Sequence, residues 1–165
     1  MFDFQPDPQQ PKPVLYRELI AAAEALTAGE RDGVANMANL AALLWQYLPE
    51  CNWTGFYRMV DGELVLGPFC GRPACLRITI GQGVCGAAAA TGESQLVPDV
   101  HAFPGHIACD AQTRSELVVP VLRRGADGER EVVAIIDCDS PRLSRFDAED
   151  RAGLEQLAET IASRI

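Results

Sequence analysis

The spacing of apolar residues changes at Pro49, and this change limits what the chain can fold into. Before Pro49, apolar side chains recur every three or four residues, which predicts amphipathic helices over 14–28 and about 32–48. After it, β-branched and aromatic residues come in short alternating segments, which are typical of strands. Helices that precede a run of antiparallel strands predict an α+β domain.

The strand pattern covers six segments and is followed by one more helix. Asp61-Gly62 marks a tight hairpin, and GQGVCG opens a short Ala-rich helix. That turn lacks the lysine of a phosphate-binding loop, so we interpret it as a tight turn that carries a cysteine. The predicted strands are 52–60, 63–66, 76–80, 95–100, 116–123 and 131–137, and the last helix is 147–165.

We expect the N- and C-terminal helices to pack on one face of a central antiparallel sheet. Ligands in such a fold usually bind on the face that the helices leave free, under a roof of long loops. Prolines at positions 6, 8, 11 and 13 predict an extended leader over 1–13, since proline lacks the N–H that helices and sheets use. Residues 14–165 contain no linker or repeat and are interpreted as one domain.

Composition excludes some classes of partner. A chain of 165 residues with 48% hydrophobic side chains can bury a sizeable core without a disulfide or a metal. The net charge of −9 argues against nucleic acid. The first residues show no signal peptide, and no long apolar run predicts a membrane span, so we expect a cytoplasmic protein without membrane contact.

The six cysteines therefore need another explanation. Cys51 and Cys138 fall at or inside predicted strands, where a small buried thiol is usual. Cys75, Cys85 and Cys109 fall at predicted loops or turns, so we expect exposed thiols. They are either one attacking and two resolving groups of a redox site or cysteines without chemistry. With no CxxC pair in the sequence, structural zinc is disfavoured.

Acidic and aromatic residues form a second group of candidates. Asp137 and Asp139 are two apart on a strand and share one side, and Glu116 begins the preceding strand. Solvated strand ends are the simpler interpretation. In a shared cleft, however, burial and repulsion would raise at least one pKa and create a proton donor at neutral pH. Trp53 and Tyr57 share one face of the first strand, which is a candidate pocket wall.

Several blocks of the sequence, in order, resemble the free methionine-(R)-sulfoxide reductases, which are small single-domain proteins of the GAF fold. The blocks are NWTGFY (52–57), LVLGPFCGRPAC (64–75), GQGVCGAAAATGESQLVPDVHAFPGHIACDAQTRSELVVP (81–120) and IIDCDSPRLSRFDAED (135–150). The resemblance implies an oxidoreductase that converts free L-methionine-(R)-S-oxide to L-methionine. Three features depart from the pattern, namely Cys138 at a commonly aliphatic position, the additional Cys51 and Cys70, and the longer turn GADGEREV.

The resemblance implies Cys109 as the nucleophile, which becomes a sulfenic acid. Either Cys75 or Cys85 then forms an intramolecular disulfide with it. Thioredoxin, supplied by NADPH and thioredoxin reductase, is the implied electron donor, and no bound cofactor or metal is expected. The sequence leaves a homodimer open. A GAF domain that senses a small ligand or redox state without catalysis is the alternative function.

The resemblance also implies how the substrate is held. Glu116, Asp137 and Asp139 form its acidic pocket, and either Glu116 or Asp139 donates the proton to the sulfoxide oxygen. Trp53 is implied to lie against the S-methyl end of the substrate, with Tyr57 on the same face.

Overall fold

The computed structural model describes residues 4–7, 9–106, 110–125 and 127–165. Within these residues the chain forms four α-helices, one short 3-10 helix at Val100–Ala102 and six strands. The helices are α1 (Lys12–Leu26), α2 (Gly33–Tyr47), α3 (Gly83–Thr91) and α4 (Ala148–Ile161). The strands are β1 (Trp53–Val60), β2 (Glu63–Gly71), β3 (Arg77–Ile78), β4 (Gln95–Val97), β5 (Ser115–Arg124) and β6 (Arg130–Ser140).

The strands form one antiparallel sheet in the order β3-β2-β1-β6-β5-β4. Apolar residues cover both faces of this sheet and form two separate clusters. The first cluster contains α1, α2 and α4, as the helical periodicity predicts, and it includes Phe56. The second contains Trp53 and Tyr57 together with α3, so the short third helix packs on the face that the other helices leave free.

The first helix begins at Lys12, two residues before the predicted start. Pro11 is its N-cap and Pro13 lies in its first turn. The first N–H groups of a helix have no partner within the helix, so proline is tolerated there. The prediction that residues 1–13 exclude a helix is therefore wrong at its last two positions.

The long strands β5 and β6 carry the pairing that positions the acidic residues. In the centre of the sheet, Asp139 of β6 lies opposite Trp53 on one side and Glu116 on the other. The register of β5 and β6 shifts between Val121 and Leu122, on the way to the turn at 125–129. The predicted end of β6 at Asp137 is three residues short, because the ladder continues to Ser140.

None of the helices in the described ranges combines the length and the apolar character that a membrane span needs.

Candidate active site

Three carboxylic acids meet in a cavity between the sheet and α3. Glu116 and Asp137 are each only 6% exposed, and Asp139 is half-buried. All three line the cavity. Glu116 of β5 lies directly opposite Asp139 of β6. Asp137 lies two residues before Asp139, on the same face of β6. Strand register thus brings together acids that are 21 to 23 residues apart in sequence.

Burial among like charges favours the protonated forms of these acids. Loss of hydration raises the pKa of Glu116 well above its ordinary value, and the charge of Asp137 adds to this effect. Burial also raises the pKa of Asp137 to about 7. Burial, followed by the charges of Asp137 and Glu116, raises the pKa of Asp139. The cavity therefore retains acidic protons near neutral pH.

One oxygen of Asp137 has no hydrogen-bond partner among the residues that the structure describes. Its Oδ1 is buried and forms no hydrogen bond within the described part of the chain, whereas its Oδ2 lies 3.4 Å from the Cys85 sulfur. A buried carboxylate oxygen without a donor is costly unless a ligand supplies one. The structure therefore offers an acceptor to a hydrogen-bond donor or a cation that enters the cavity.

Cys85 is buried, and the prediction of an exposed loop thiol at this position is wrong. It lies in the first turn of α3, and its Sγ donates to Asp137 and, at 3.6 Å, to Oε1 of Glu116. The preceding turn is tight: Gly81 donates its N–H to the Gly86 carbonyl at 2.8 Å. A side chain at Gly86 would place Cβ 2.5 Å from the backbone of the turn. This close approach directs Cys85 into the sheet.

The environment of Cys85 favours the thiol over the thiolate. Burial raises its pKa well above the ordinary value, and the charges of Asp137 and Glu116 raise it further. A protonated thiol beside two acids is a hydrogen-bond donor rather than a ready nucleophile.

Cys75 lies in the loop between β2 and β3, directly after Ala74, which lines the margin of the cavity. It is half-buried and disulfide-bonded. The hydroxyl of Tyr57 donates to its backbone carbonyl at 3.0 Å, which fixes the loop against the sheet. Cys109, the predicted nucleophile, lies outside the described residues. Its described sequence neighbours on either side, His106 and Asp110, both line the cavity.

The remaining cysteines lie outside the cavity lining. Cys138 is fully buried on the helix side of the sheet, as predicted, and burial raises its pKa. Cys51 is half-buried rather than buried, against the same cluster, and burial raises its pKa to about 12. Cys70 is half-buried in β2. All three are free thiols.

Aromatic rings form one wall of the cavity. The Trp53 ring stacks on Phe69 with centroids 5.2 Å apart and on Tyr57 at 5.9 Å. Its indole Nε1 donates to the Arg72 carbonyl at 3.1 Å, so the ring is held from both sides. This flat apolar surface beside the acids suits a molecule with one apolar and one cationic end.

A polar network that sequence reasoning missed connects the cavity loops. The Asn52 side-chain amide donates to Asp110 at 3.1 Å and to the Thr113 hydroxyl at 3.0 Å. Arg72 lies 3.9 Å from Asp110, and Thr113 interacts with the Asp139 carboxyl. Asn52 only begins a strand and Thr113 lies in a polar loop, so neither carried a sequence signal.

One side of the cavity could also hold a cation. Ligand atoms of Cys85, Glu116 and Asp137 lie within 4.8 Å of one another, and all three residues are buried. The sequence does not suggest this group, because its members come from three different elements.

The chain is similar in sequence to proteins of known family. Residues 35–165 match the GAF domain family. The chain is 45% identical over 146 residues to the free methionine-R-sulfoxide reductase of Escherichia coli, covering 88% of this chain and 86% of that protein. It is 41% identical over 157 residues to the Saccharomyces cerevisiae protein of the same name, covering 91% and 85% of the two chains.

A solved structure extends the similarity to three dimensions. The X-ray structure of free methionine-R-sulfoxide reductase from Neisseria meningitidis, in complex with its substrate, superposes with a TM-score of 0.90. The two chains share 42% sequence identity, and the alignment covers 99% of this chain and 95% of that one. The fold of this chain is therefore shared with a protein whose structure was solved in complex with its substrate.

Proposed function

The chain belongs to the GAF-domain family of free methionine-R-sulfoxide reductases, and we propose that it reduces free L-methionine-(R)-S-oxide to L-methionine. The observation that carries the proposal is the group of three acids, the buried Glu116 and Asp137 and the half-buried Asp139, beside a stacked aromatic wall.

The proposed binding mode follows from charge and shape. The substrate ammonium pairs with Asp139 and with Asp137, whose Oδ1 has no donor within the described ranges. The S-methyl end lies against Trp53 and Tyr57. A methionine sulfoxide inside a protein chain has an amide in place of the ammonium, so the buried acids would lose their partner. The cavity therefore favours the free amino acid.

The proposed chemistry uses one thiolate and one proton. The Cys109 thiolate attacks the sulfoxide sulfur, and a protonated carboxyl, Glu116 or Asp139, donates its proton to the oxygen. The S–O bond of the substrate breaks, the oxygen leaves as the hydroxyl of a Cys109 sulfenic acid, and methionine is released. The substrate gains the two electrons that the cysteine loses.

We propose that Cys75, rather than Cys85, resolves the sulfenic acid. Its thiol attacks the Cys109 sulfur, a disulfide forms and water leaves. Cys75 is disulfide-bonded and anchored by Tyr57 at the cavity margin, whereas Cys85 is a free, buried thiol whose pKa is raised. A dithiol protein, thioredoxin, then reduces the disulfide by exchange.

Coupled oxidation of NADPH by thioredoxin reductase and thioredoxin tests the activity with each purified sulfoxide epimer. We expect turnover of the R epimer only, complete loss in Cys109→Ser and full activity in the control Cys70→Ser, which alters a thiol outside the cavity lining. Equal turnover of the two epimers, or an active Cys109→Ser variant, would refute the assignment.

A second comparison tests the role of the ammonium. N-acetyl-methionine-(R)-sulfoxide keeps the reacting sulfur and removes the positive charge. We expect its kcat/KM to be lower than that of the free amino acid by about 100-fold or more, because the buried acids lose their counter-charge. Similar values for the two substrates would show that the acids do not recognise the ammonium.

A further inference from the structure

Cys85 is a buried thiol for which the proposed reaction has no use. It is 6% exposed, and within the second apolar cluster its sulfur donates to two buried carboxylic acids. Free cysteines in protein interiors usually behave as small hydrophobic residues. This one instead completes a set of one sulfur and two oxygen ligands with Glu116 and Asp137.

The distances within this set fit a tetrahedral cation site. Zinc binds thiolate sulfur at about 2.3 Å and carboxylate oxygen at about 2.0–2.2 Å, and tetrahedral angles then separate sulfur and oxygen by about 3.6 Å. The Cys85 sulfur lies 3.4 Å from Oδ2 of Asp137 and 3.6 Å from Oε1 of Glu116. Both sulfur–oxygen distances thus match those around a bound cation, and the three ligand atoms all lie within 4.8 Å of one another.

A second observation independently indicates a ligand at this place. Asp137 is 94% buried, and its Oδ1 faces the cavity lining without a hydrogen-bond partner among the described residues. This oxygen can complete a bidentate carboxylate or accept a hydrogen bond from a metal-bound water. The described lining contains more acidic than basic groups, since Glu116, Asp137, Asp139 and Asp110 face only Arg72 and His106.

We propose that Cys85, Glu116 and Asp137 form a binding site for a thiophilic divalent cation such as Zn²⁺ or Cd²⁺, and that the bound cation excludes the substrate from the cavity. Water from the cavity supplies the fourth ligand. The cation takes the place of the thiol proton and of the carboxyl protons, so binding releases protons to solvent. Affinity for the cation therefore rises with pH.

The binding test uses the full chain and the metal alone. Zn²⁺ is titrated by calorimetry, and Cd²⁺ is followed by the absorbance of its thiolate charge-transfer band. We expect one cation per chain in the parent and in the control Cys70→Ser, and affinity reduced at least about tenfold in Cys85→Ser and Asp137→Asn. Asp137→Asn is nearly isosteric, and it carries the test if Cys85→Ser fails to fold.

Two results would overturn the site. One is Zn²⁺ affinity that is unchanged in Cys85→Ser and Asp137→Asn, which would place the metal on other thiols. The other is the absence of a saturable Cd²⁺ thiolate band in the parent protein. A Zn²⁺ affinity that does not rise with pH would also contradict the replacement of protons by the cation.

The second half of the inference, exclusion of substrate, rests on the proposed function. We expect Zn²⁺ to raise KM for free methionine sulfoxide without a change in kcat, and the sulfoxide to weaken Zn²⁺ binding in calorimetry. An active reductase that binds no Zn²⁺ overturns the cation site and leaves the reductase function standing. A protein that binds Zn²⁺ at Cys85 but reduces no sulfoxide overturns the function and leaves the site standing.

Discussion

Glu116 is one of the two acids that can hold a proton for the sulfoxide oxygen. Its carboxyl is buried against the sheet, and its pKa is raised by loss of hydration and by the charge of Asp137. A sulfoxide oxygen leaves only after it gains a proton, so an acid that keeps its proton at neutral pH contributes directly to the rate.

We therefore expect Glu116→Gln to lower kcat/KM by about 100-fold to 10,000-fold, since general acid catalysis typically contributes this much. The amide preserves shape and hydrogen bonding but cannot donate the same proton. Steady-state kinetics measure the effect, with the exposed Glu131→Gln as a matched control on the other long strand. A change below threefold would assign the proton to Asp139.

The side-chain amide of Asn52 connects two positions of the loop that precedes β5. Asn52 connects Asp110, which follows Cys109 in sequence, to Thr113, which lies beside Asp139. Removal of the amide leaves Asp110 and Thr113 without this shared donor. Asn52 is a positioning residue in this arrangement.

We expect Asn52→Ala to lower kcat by about tenfold, because misplacement of a reacting group by a fraction of an ångström has large effects on rate. We expect the thermal unfolding midpoint to stay close to that of the parent protein. A merely structural role of Asn52 would instead lower this midpoint. The exposed Gln112→Ala, in the same loop, serves as the control. An equal loss of activity in the two variants would remove Asn52 from this role.

Helices α1 and α4 meet at a contact without spare room. Gly153 of α4 lies against the ring of Tyr16, and an added Cβ would overlap that ring. The Tyr16 hydroxyl donates to the buried Asp150 at 2.9 Å, so the ring cannot move without loss of this bond. Glycine here reflects helix packing rather than a turn.

We expect Gly153→Ala to lower the free energy of unfolding by about 2 kcal/mol or more, as overpacked cores typically show. For a chain of this length, such a loss lowers the unfolding midpoint by about 4–8 °C. Scanning calorimetry measures it, against Gln156→Ala on the exposed face of the same helix. A variant as stable as its control would show that the two helices separate easily.

At the scale of the whole molecule, the buried acids make folding stability depend on pH. Asp137 has an ordinary pKa of 3.8 and a folded-state pKa of about 7, so between these values the folded chain binds more protons than the unfolded chain. Stability is then fully present below the lower value and falls as pH rises through the upper one. Glu116 and Asp139 act in the same direction.

We expect the unfolding midpoint of the parent protein to be lower at pH 8 than at pH 5. Asn at position 137 cannot titrate. In Asp137→Asn, the difference in the free energy of unfolding between pH 5 and pH 8 should therefore be smaller by about 2 kcal/mol, which corresponds to about 4–8 °C in the unfolding midpoint. Fluorescence-monitored thermal unfolding provides the measurement. The control Glu159→Gln alters an exposed residue and should keep the parent dependence of the unfolding midpoint on pH. If Asp137→Asn also keeps this dependence, the Asp137 carboxyl is not a buried group that holds a proton.

Regular spacing made much of this architecture predictable. Helical and strand periodicity places α2, β1 and α4 within a few residues of their observed bounds, and alternation separates Trp53 and Tyr57 from the helix side. Cys85 was misjudged because a glycine-rich turn resembles an exposed loop in sequence, while its close backbone approach buries the next residues. Asn52 was missed because its partners are set by loop conformation, which leaves no periodic signal.

The register shift between Val121 and Leu122 divides the β5–β6 hairpin into two parts that differ in how well they tolerate a change in chain length. At the cavity end, a slip of one residue would put Cys138 and either Ile136 or Ser140 on the cavity face in place of Asp137 and Asp139. At the other end, where Gly125 donates its N–H to the Glu129 carbonyl, an added or lost residue can be absorbed before it reaches that pairing. This end of the hairpin is therefore expected to tolerate insertions, inserted affinity tags and natural variation in length. Such changes do not alter the pairing of the acidic residues at the other end.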